Sequence, residues 1–211
     1  MKVAFRADAS LDIGTGHVMR CLTLADKLKQ GGADIYFFCR PHPGNLIDFI
    51  KDKKYKVRIL ESPKKTPSKN IKNTKLLGAS QTQDSSQMIK KLEGRFDCII
   101  ADNYAIGDLW LKKLRPHCNM LMVIDDLGNR SLNCDLILDH NFGSTPEKYT
   151  KHVYFFAISL GGPKCTLPPV RTPMLAKSCW TKLIMRSGEL LCLLSASCIA
   201  LCKNGASLDQ S

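Results

Sequence analysis

The chain has 211 residues, a formal net charge of +12, 44% hydrophobic and 24% charged residues. These proportions fit a folded chain and exclude a disordered one, and no stretch approaches the ~18 to 20 unbroken apolar residues of a membrane helix. The opening MKVAFRADAS has no apolar secretory run, so the sequence predicts a cytoplasmic protein. Ten cysteines without a CxxC pair, and without histidine at ligand spacing, predict free thiols and no metal site.

Met1 to Phe5 reads as a short buried strand. His17 to Gln30 repeats Val18, Cys21, Leu22, Ala25 and Leu28 at three- and four-residue steps, one face of a helix that Gly31-Gly32 ends. IYFFCR (35–40) is a second strand stopped by Pro41 and Pro43. GNLIDFIKDKKY (44–55) predicts a helix and KVRIL (56–60) a third strand. Further on, SQMIKKLEG (86–94) and DLWLKKLRP (108–116) predict helices. FDCIIADNY (96–104), MLMVIDD (120–126) and CDLILDHN (134–141) predict strands. Strands alternating with helices mean βα units, a parallel Rossmann-like α/β sheet with helices on both faces. Such sheets bind ligands beyond the carboxyl ends of their strands, which singles out loops 6–17, 101–108, 125–133 and 139–143.

The charge is unevenly spread. Residues 51–75 hold ten Lys or Arg (Lys51, Lys53, Lys54, Lys56, Arg58, Lys64, Lys65, Lys69, Lys72, Lys75) against Asp52 and Glu61, a local +8. Tyr55 is the one aromatic among them, too few for base stacking. A solvated surface accounts for the run and argues against nucleic acid as a partner.

The first loop is the most informative segment. Gly14-Thr15-Gly16 joins a strand to a helix and delivers His17 into the first helical turn. Glycines let backbone N–H groups approach a ligand, and the helix N-terminus disfavours a charged imidazole. The dinucleotide fingerprint is absent, because Arg20 stands about where its third glycine falls, and no phosphate-cradling Lys-Ser/Thr follows. Taken alone, His17 reads equally as a polar residue at a helix start. Asp8, Asp102, Asp125 and Asp126 fall at strand ends, two or three of them expected to cap helices or fix loops.

FRADASLDIGTGHVMRCLTLADKL (5–28), LLGASQTQDSSQMI (76–89), DCIIADNYAIGDLW (97–110) and VIDDLGNRSLNCDLILDHNFG (123–143) resemble, in order, segments of the UDP-sugar hydrolase family of pseudaminic acid biosynthesis. The resemblance covers roughly residues 1–145. It implies the N-terminal half of a two-domain GT-B fold, similar to nucleotide-sugar glycosyltransferases such as the enzyme that adds N-acetylglucosamine in peptidoglycan synthesis. It also implies hydrolysis of UDP-2,4-diacetamido-2,4,6-trideoxy-β-L-altropyranose to the free sugar and UDP. The resemblance implies attack of water at the anomeric carbon with inversion, without metal or cofactor. His17 matches the family's general base, and Gly14, Thr15 and Gly16 its sugar-facing loop. Tyr104 matches an aromatic position near the sugar, against a core-packing reading that stands beside it. The implied partner is the nucleotide-sugar substrate, with no membrane and no nucleic acid; the oligomeric state is left open.

Two other readings accompany this one: the acceptor-side domain of a GT-B glycosyltransferase, and a non-enzymatic binder of acidic polymers through residues 51–75. The segments at 76–89 and 123–143 favour the hydrolase, being more specific than a glycine loop. The resemblance divides the chain into an N-terminal α/β domain (1–157) and an atypical tail (158–211). LGGPKCTL (160–167) is similar to the family's interdomain junction, but five of the ten cysteines fall in the residues from 160 onward and no βα rhythm is legible there. Back-translated Met174 to Thr181, read one base out of register, is compatible with an ordinary helix. The expectation is a poorly ordered tail, frameshifted or else lineage-specific, in place of the UDP-binding domain, and a chain without activity.

Overall fold

The computed structural model describes residues 1–62, 76–141, 144 and 146–149. The tail at 158–211 lies outside the described residues, as do the LGGPKCTL junction and the lysines at 64, 65, 69, 72 and 75. The described elements are β1 (Lys2–Ala7), α1 (Gly16–Gln30), β2 (Asp34–Cys39), α2 (Ile47–Asp52), β3 (Lys56–Ile59), α3 (Gln81–Lys91), β4 (Phe96–Asp102), α4 (Asp108–Leu114), β5 (Cys118–Ile124) and β6 (Leu136–Leu138). Short 3-10 turns follow at Arg115–His117 and Pro146–Tyr149. The strands form one sheet in the order β3-β2-β1-β4-β5-β6, every neighbouring pair parallel. This is the Rossmann-like α/β architecture read from the sequence.

Both faces of the sheet are covered, because alternate side chains of each strand point opposite ways. Val3, Phe5 and Ala7 join Ile35, Phe37 and Ile100 on one face, packed with Val18, Cys21, Leu22, Ala25 and Leu28 of α1. Ala4, Phe38, Ile99 and Val123 line the other face with Met88 of α3 and Trp110, Leu111 and Leu114 of α4. Each fully buried aliphatic or aromatic side chain contributes roughly 1.5 to 3 kcal/mol.

Several boundaries move, each for a local reason. β1 runs two residues past Phe5 and so carries Arg6 into the core. α2 starts at Ile47 rather than residue 44, because Gly44 sits at φ +74° and the Asn45 side chain accepts the Ile47 N–H at 3.0 Å. It ends before Lys54, which adopts φ +63°. α3 starts at Gln81, five residues before the apolar periodicity becomes visible. Its start is a capping box, the Ser80 hydroxyl on the Gln83 N–H and the Gln83 side chain on the Ser80 N–H.

Arg6 is fully buried in the central strand and needs a counter-charge there. Asp84 of α3 accepts its Nε at 3.0 Å and Nη2 at 2.7 Å, while Arg6 Nη1 lies 2.7 Å from Asp8. Arg40 Nη2 and Trp110 Nε1 also donate to Asp84, both at 2.8 Å. β1, α3, α4 and the segment just past β2 are thereby tied together at the sheet's carboxyl edge.

At that edge the chain order reverses. β1 lies beside β4, whereas β2 and β3 follow on its other side. The register sets Ala7 opposite Asp102, so the loop after β1 and the end of β4 meet at the switch point where sheets of this order take ligands. Among the described residues no helix is long and apolar enough to cross a membrane.

Candidate functional site

The loop after β1 is a compact turn. The Gly14 N–H donates to the Ser10 carbonyl at 2.8 Å, and the Ser10 hydroxyl accepts the N–H groups of Asp12 and Ile13. Gly14 adopts φ +79°, a conformation that side chains resist. Gly16 has no such constraint, since it is the first residue of α1 and a Cβ there would meet nothing within 4 Å. Thr15 is the N-cap residue, but its side chain makes no cap hydrogen bond. Gly14, Thr15 and Gly16 are all exposed.

His17 is buried except for an edge, its residue exposure 7%. Its Nδ1 lies 2.6 Å from Oδ1 of Asp102, which is wholly buried at the end of β4. The proton of that contact belongs to Nδ1, because a bare ring nitrogen and a carboxylate repel at this distance. Nε2 is then the nitrogen with a lone pair. This tautomer follows from the contact, and it is the one a general base requires.

Arg20, one turn along α1, closes on the same carboxylate. Its Nε donates to Oδ2 at 2.6 Å and its Nη2 to Oδ1 at 2.5 Å. Burial opposes charge on Asp102, but the hydrogen bonds from Arg20 and His17 hold its carboxyl below the usual range. The Tyr104 ring meets the imidazole edge-on, centroids 4.8 Å apart at 76°. Its hydroxyl stands near Asp126 and Arg20; burial, with Asp126, pushes the phenol up to about 12, so it stays protonated as a donor. Oδ1 of Asp126 is buried without a hydrogen-bond partner.

The strand-end aspartates thus divide by what they touch. Asp8 binds Arg6 and accepts the Arg40 N–H. Asp125 accepts the Leu127 and Gly128 N–H groups and pairs with Arg130 at 2.6 Å, fixing its loop. Asp102 reaches His17. Sequence reasoning left it undistinguished among four strand-end aspartates, two or three of them expected to be structural, and noted Arg20 only as a missing glycine. The available signal was the three-residue spacing of His17 and Arg20, which puts both on one helix face.

Other chemistries find less here. Cys21, Cys39, Cys118 and Cys134 are buried free thiols, and burial pushes the Cys118 and Cys134 thiols up to about 12, away from thiolate reactivity. Among the described residues no group of three His, Cys, Asp or Glu is arranged to hold a metal ion. Of the basic run, Lys51 pairs with Asp48, Lys56 with Asp34 and Arg58 with Glu93.

No family model matches the chain. It is 30% identical, over 157 residues, to the UDP-2,4-diacetamido-2,4,6-trideoxy-β-L-altropyranose hydrolase of Campylobacter jejuni; the match covers 74% of this chain and 47% of that protein. A second match, to an uncharacterized protein of Methanocaldococcus jannaschii, is 29% identical over 172 residues and covers 78% of this chain and 30% of the relative. The chain therefore spans about half the length of the first relative and under a third of the second. The first match supports the family resemblance carried by the four segments. Partial likenesses to solved structures include MurG of Acinetobacter baumannii (TM-score 0.44, 16% identity, 69% of this chain and 42% of that one). They also include UGT89C1 of Arabidopsis thaliana (TM-score 0.48, 10% identity, 85% of this chain and 54% of that one).

Proposed function

We propose that this chain carries the sugar-side half of a UDP-sugar hydrolase, with the GT-B arrangement that the family resemblance implies and with His17 as general base. The substrate class is a UDP-linked diacetamido trideoxy hexose, of the kind named for the Campylobacter jejuni relative. The observation that carries the reading is the 2.6 Å contact of His17 Nδ1 with buried Asp102 at the sheet's switch point. It leaves Nε2 with the lone pair that a general base requires.

In the proposed reaction the oxygen of a water bonds to the anomeric carbon as the bond from that carbon to the UDP oxygen breaks. The electron pair leaves with UDP, and the proton of the water passes to His17 Nε2. UDP is already a fair leaving group, so the weak nucleophile is the member of the pair that needs help. Displacement in one step inverts the anomeric centre. Gly14, Thr15 and Gly16 offer the sugar a surface without side-chain bulk, and the Tyr104 hydroxyl is a donor beside it. Most of the ordering of substrate comes from binding its remote part, the uridine diphosphate. The described domain offers that group little: the cations at the carboxyl edge, buried Arg6 and Arg40 and partly buried Arg20 and Arg130, are all matched to carboxylates. We assign the diphosphate to a second domain, as the resemblance implies.

A glycosyltransferase acceptor domain would use the same dyad to deprotonate a sugar hydroxyl instead of water. The two readings separate in a chimera joining residues 1–157 to the second domain of the Campylobacter jejuni relative. Incubated with the nucleotide sugar in water labelled in its oxygen, it is expected to release UDP without any acceptor and to place the label on the anomeric carbon. UDP release that depends on an added acceptor would favour the transferase.

A further inference from the structure

We infer that Arg20 is a positioning residue for His17: by gripping Asp102 and abutting the imidazole, it keeps the ring turned to the carboxylate and Nε2 unprotonated near neutral pH. The inference deepens the general-base reading and rests on it.

Arg20 stands against three members of the site, Asp102, His17 and the Tyr104 hydroxyl. Its Nε and Nη2 occupy both oxygens of Asp102, at 2.6 and 2.5 Å, in the fork arrangement that suits a guanidinium and a carboxylate. Nη2 also stands 2.8 Å from His17 Nδ1. Because Nδ1 carries the proton that Asp102 accepts, Arg20 meets the ring there as a neighbour sharing an acceptor. Two groups thus converge on Oδ1, His17 Nδ1 and Arg20 Nη2, and both the carboxylate and the guanidinium abut the imidazole edge.

Charge balance supplies the second part. A lone carboxylate at hydrogen-bond distance favours the imidazolium, by about 1 to 3 pH units in ordinary cases. An imidazolium is useless as a base. Arg20 carries the opposite charge against the same carboxylate and offsets that pull. The N-terminus of α1, with His17 in its first turn, acts in the same direction as Arg20. The groups facing His17 are Arg20 from α1, Asp102 from β4 and Tyr104 from the following loop, with Asp126 next to the Tyr104 hydroxyl. Arg20 is the cation among them. Lysine would keep the charge and lose the fork.

Histidine-selective nitrogen labelling of the 211-residue chain tests this without substrate. Ring nitrogen shifts distinguish a bare Nε2 from an imidazolium, and His17→Asn identifies the signal among the five histidines. Near neutral pH the wild-type ring is expected with Nδ1 protonated and Nε2 bare. In Arg20→Gln both nitrogens are expected to be protonated at the same pH, the ring titrating about one pH unit or more higher. Arg20→Lys is expected between the two. An unchanged His17 signal in a folded Arg20→Gln overturns the inference and leaves the general-base reading standing. A wild-type ring with its proton on Nε2 removes the general-base reading itself. Should Arg20→Gln fail to fold, Asp102→Asn reads the same balance from the other side: His17 must resist protonation to a lower pH than in wild type, and no change there overturns the inference.

Discussion

At the scale of single residues, His17 and Gly16 make opposite kinds of demand. The His17 imidazole packs against Tyr104 and hydrogen-bonds Asp102, so Asn in its place keeps a polar group but loses the proton acceptor. In the chimera, His17→Asn is expected to cut turnover by a factor of about 100 or more with KM nearly unchanged. Near-normal turnover would remove His17 from the base role. Gly16 sits at a helix start with open space before its Cβ position, so folding gives no reason for glycine there. Gly16→Ala is expected to leave stability unchanged, or raise it by up to about 1 kcal/mol in chemical denaturation. Weaker sugar binding is expected alongside, because the added methyl occupies the approach to the backbone. Unaltered KM in that variant would show that the sugar does not come close to this turn.

Among the elements, α3 is held to the sheet by charge as well as by Met88. Asp84, fully buried on its first turn, accepts from Arg6 of β1, from Arg40 just past β2 and from Trp110 of α4. Removing the carboxylate strands two buried guanidinium groups whose remaining carboxylate contact is Asp8 on Arg6. Asp84→Ala is therefore expected to cost about 3 to 5 kcal/mol in urea unfolding, far more than a truncation at the helix surface. A loss under about 1 kcal/mol would mean that water reaches these arginines. The same network explains why α3 was legible only in part. Gln81, Thr82, Asp84 and Ser85 give no apolar stripe, yet Asp84 and Ser85 are buried, Asp84 on the guanidinium of Arg6 and Ser85 with its hydroxyl on the carbonyls of Gln81 and Thr82.

Across the whole molecule, carboxylates tied to cations make stability depend on acid. Burial by itself would raise the Asp8 carboxyl, but the Arg6 guanidinium, with His42 and the Arg40 N–H, brings it down to about 2. Asp102 and Asp139 are likewise held below the ordinary range, against burial, by Arg20 and by the Ser144 hydroxyl. A depressed carboxyl stabilises the fold fully above its unfolded value, about 4, and that contribution is lost as pH falls through the folded value. For Asp8 it amounts to roughly 2 to 3 kcal/mol. Unfolding free energy is expected to fall steeply between about pH 4 and pH 2, with a shallower slope in Asp8→Asn. Equal slopes in the two proteins would show that Asp8 is not ionised against Arg6.

Much of this was written in local patterns. The helical period from Val18 to Leu28, the apolar runs at 35–40 and 120–124 and the βα alternation depend on near neighbours, so the sequence alone determined the parallel sheet and the position of His17 at a helix start. The four segments matching the family were equally a matter of adjacent residues. The tertiary structure decided the partners. Asp102 lies 85 positions from His17 and comes to it only because β4 pairs with β1 in a register that sets Ala7 against Asp102. Asp84 reaches Arg6 across 78 positions in the same way. Strand order and register emerge from burying two sheet faces at once, a collective property that no short segment contains. The resulting contacts turn a histidine, an aspartate and an arginine into one site.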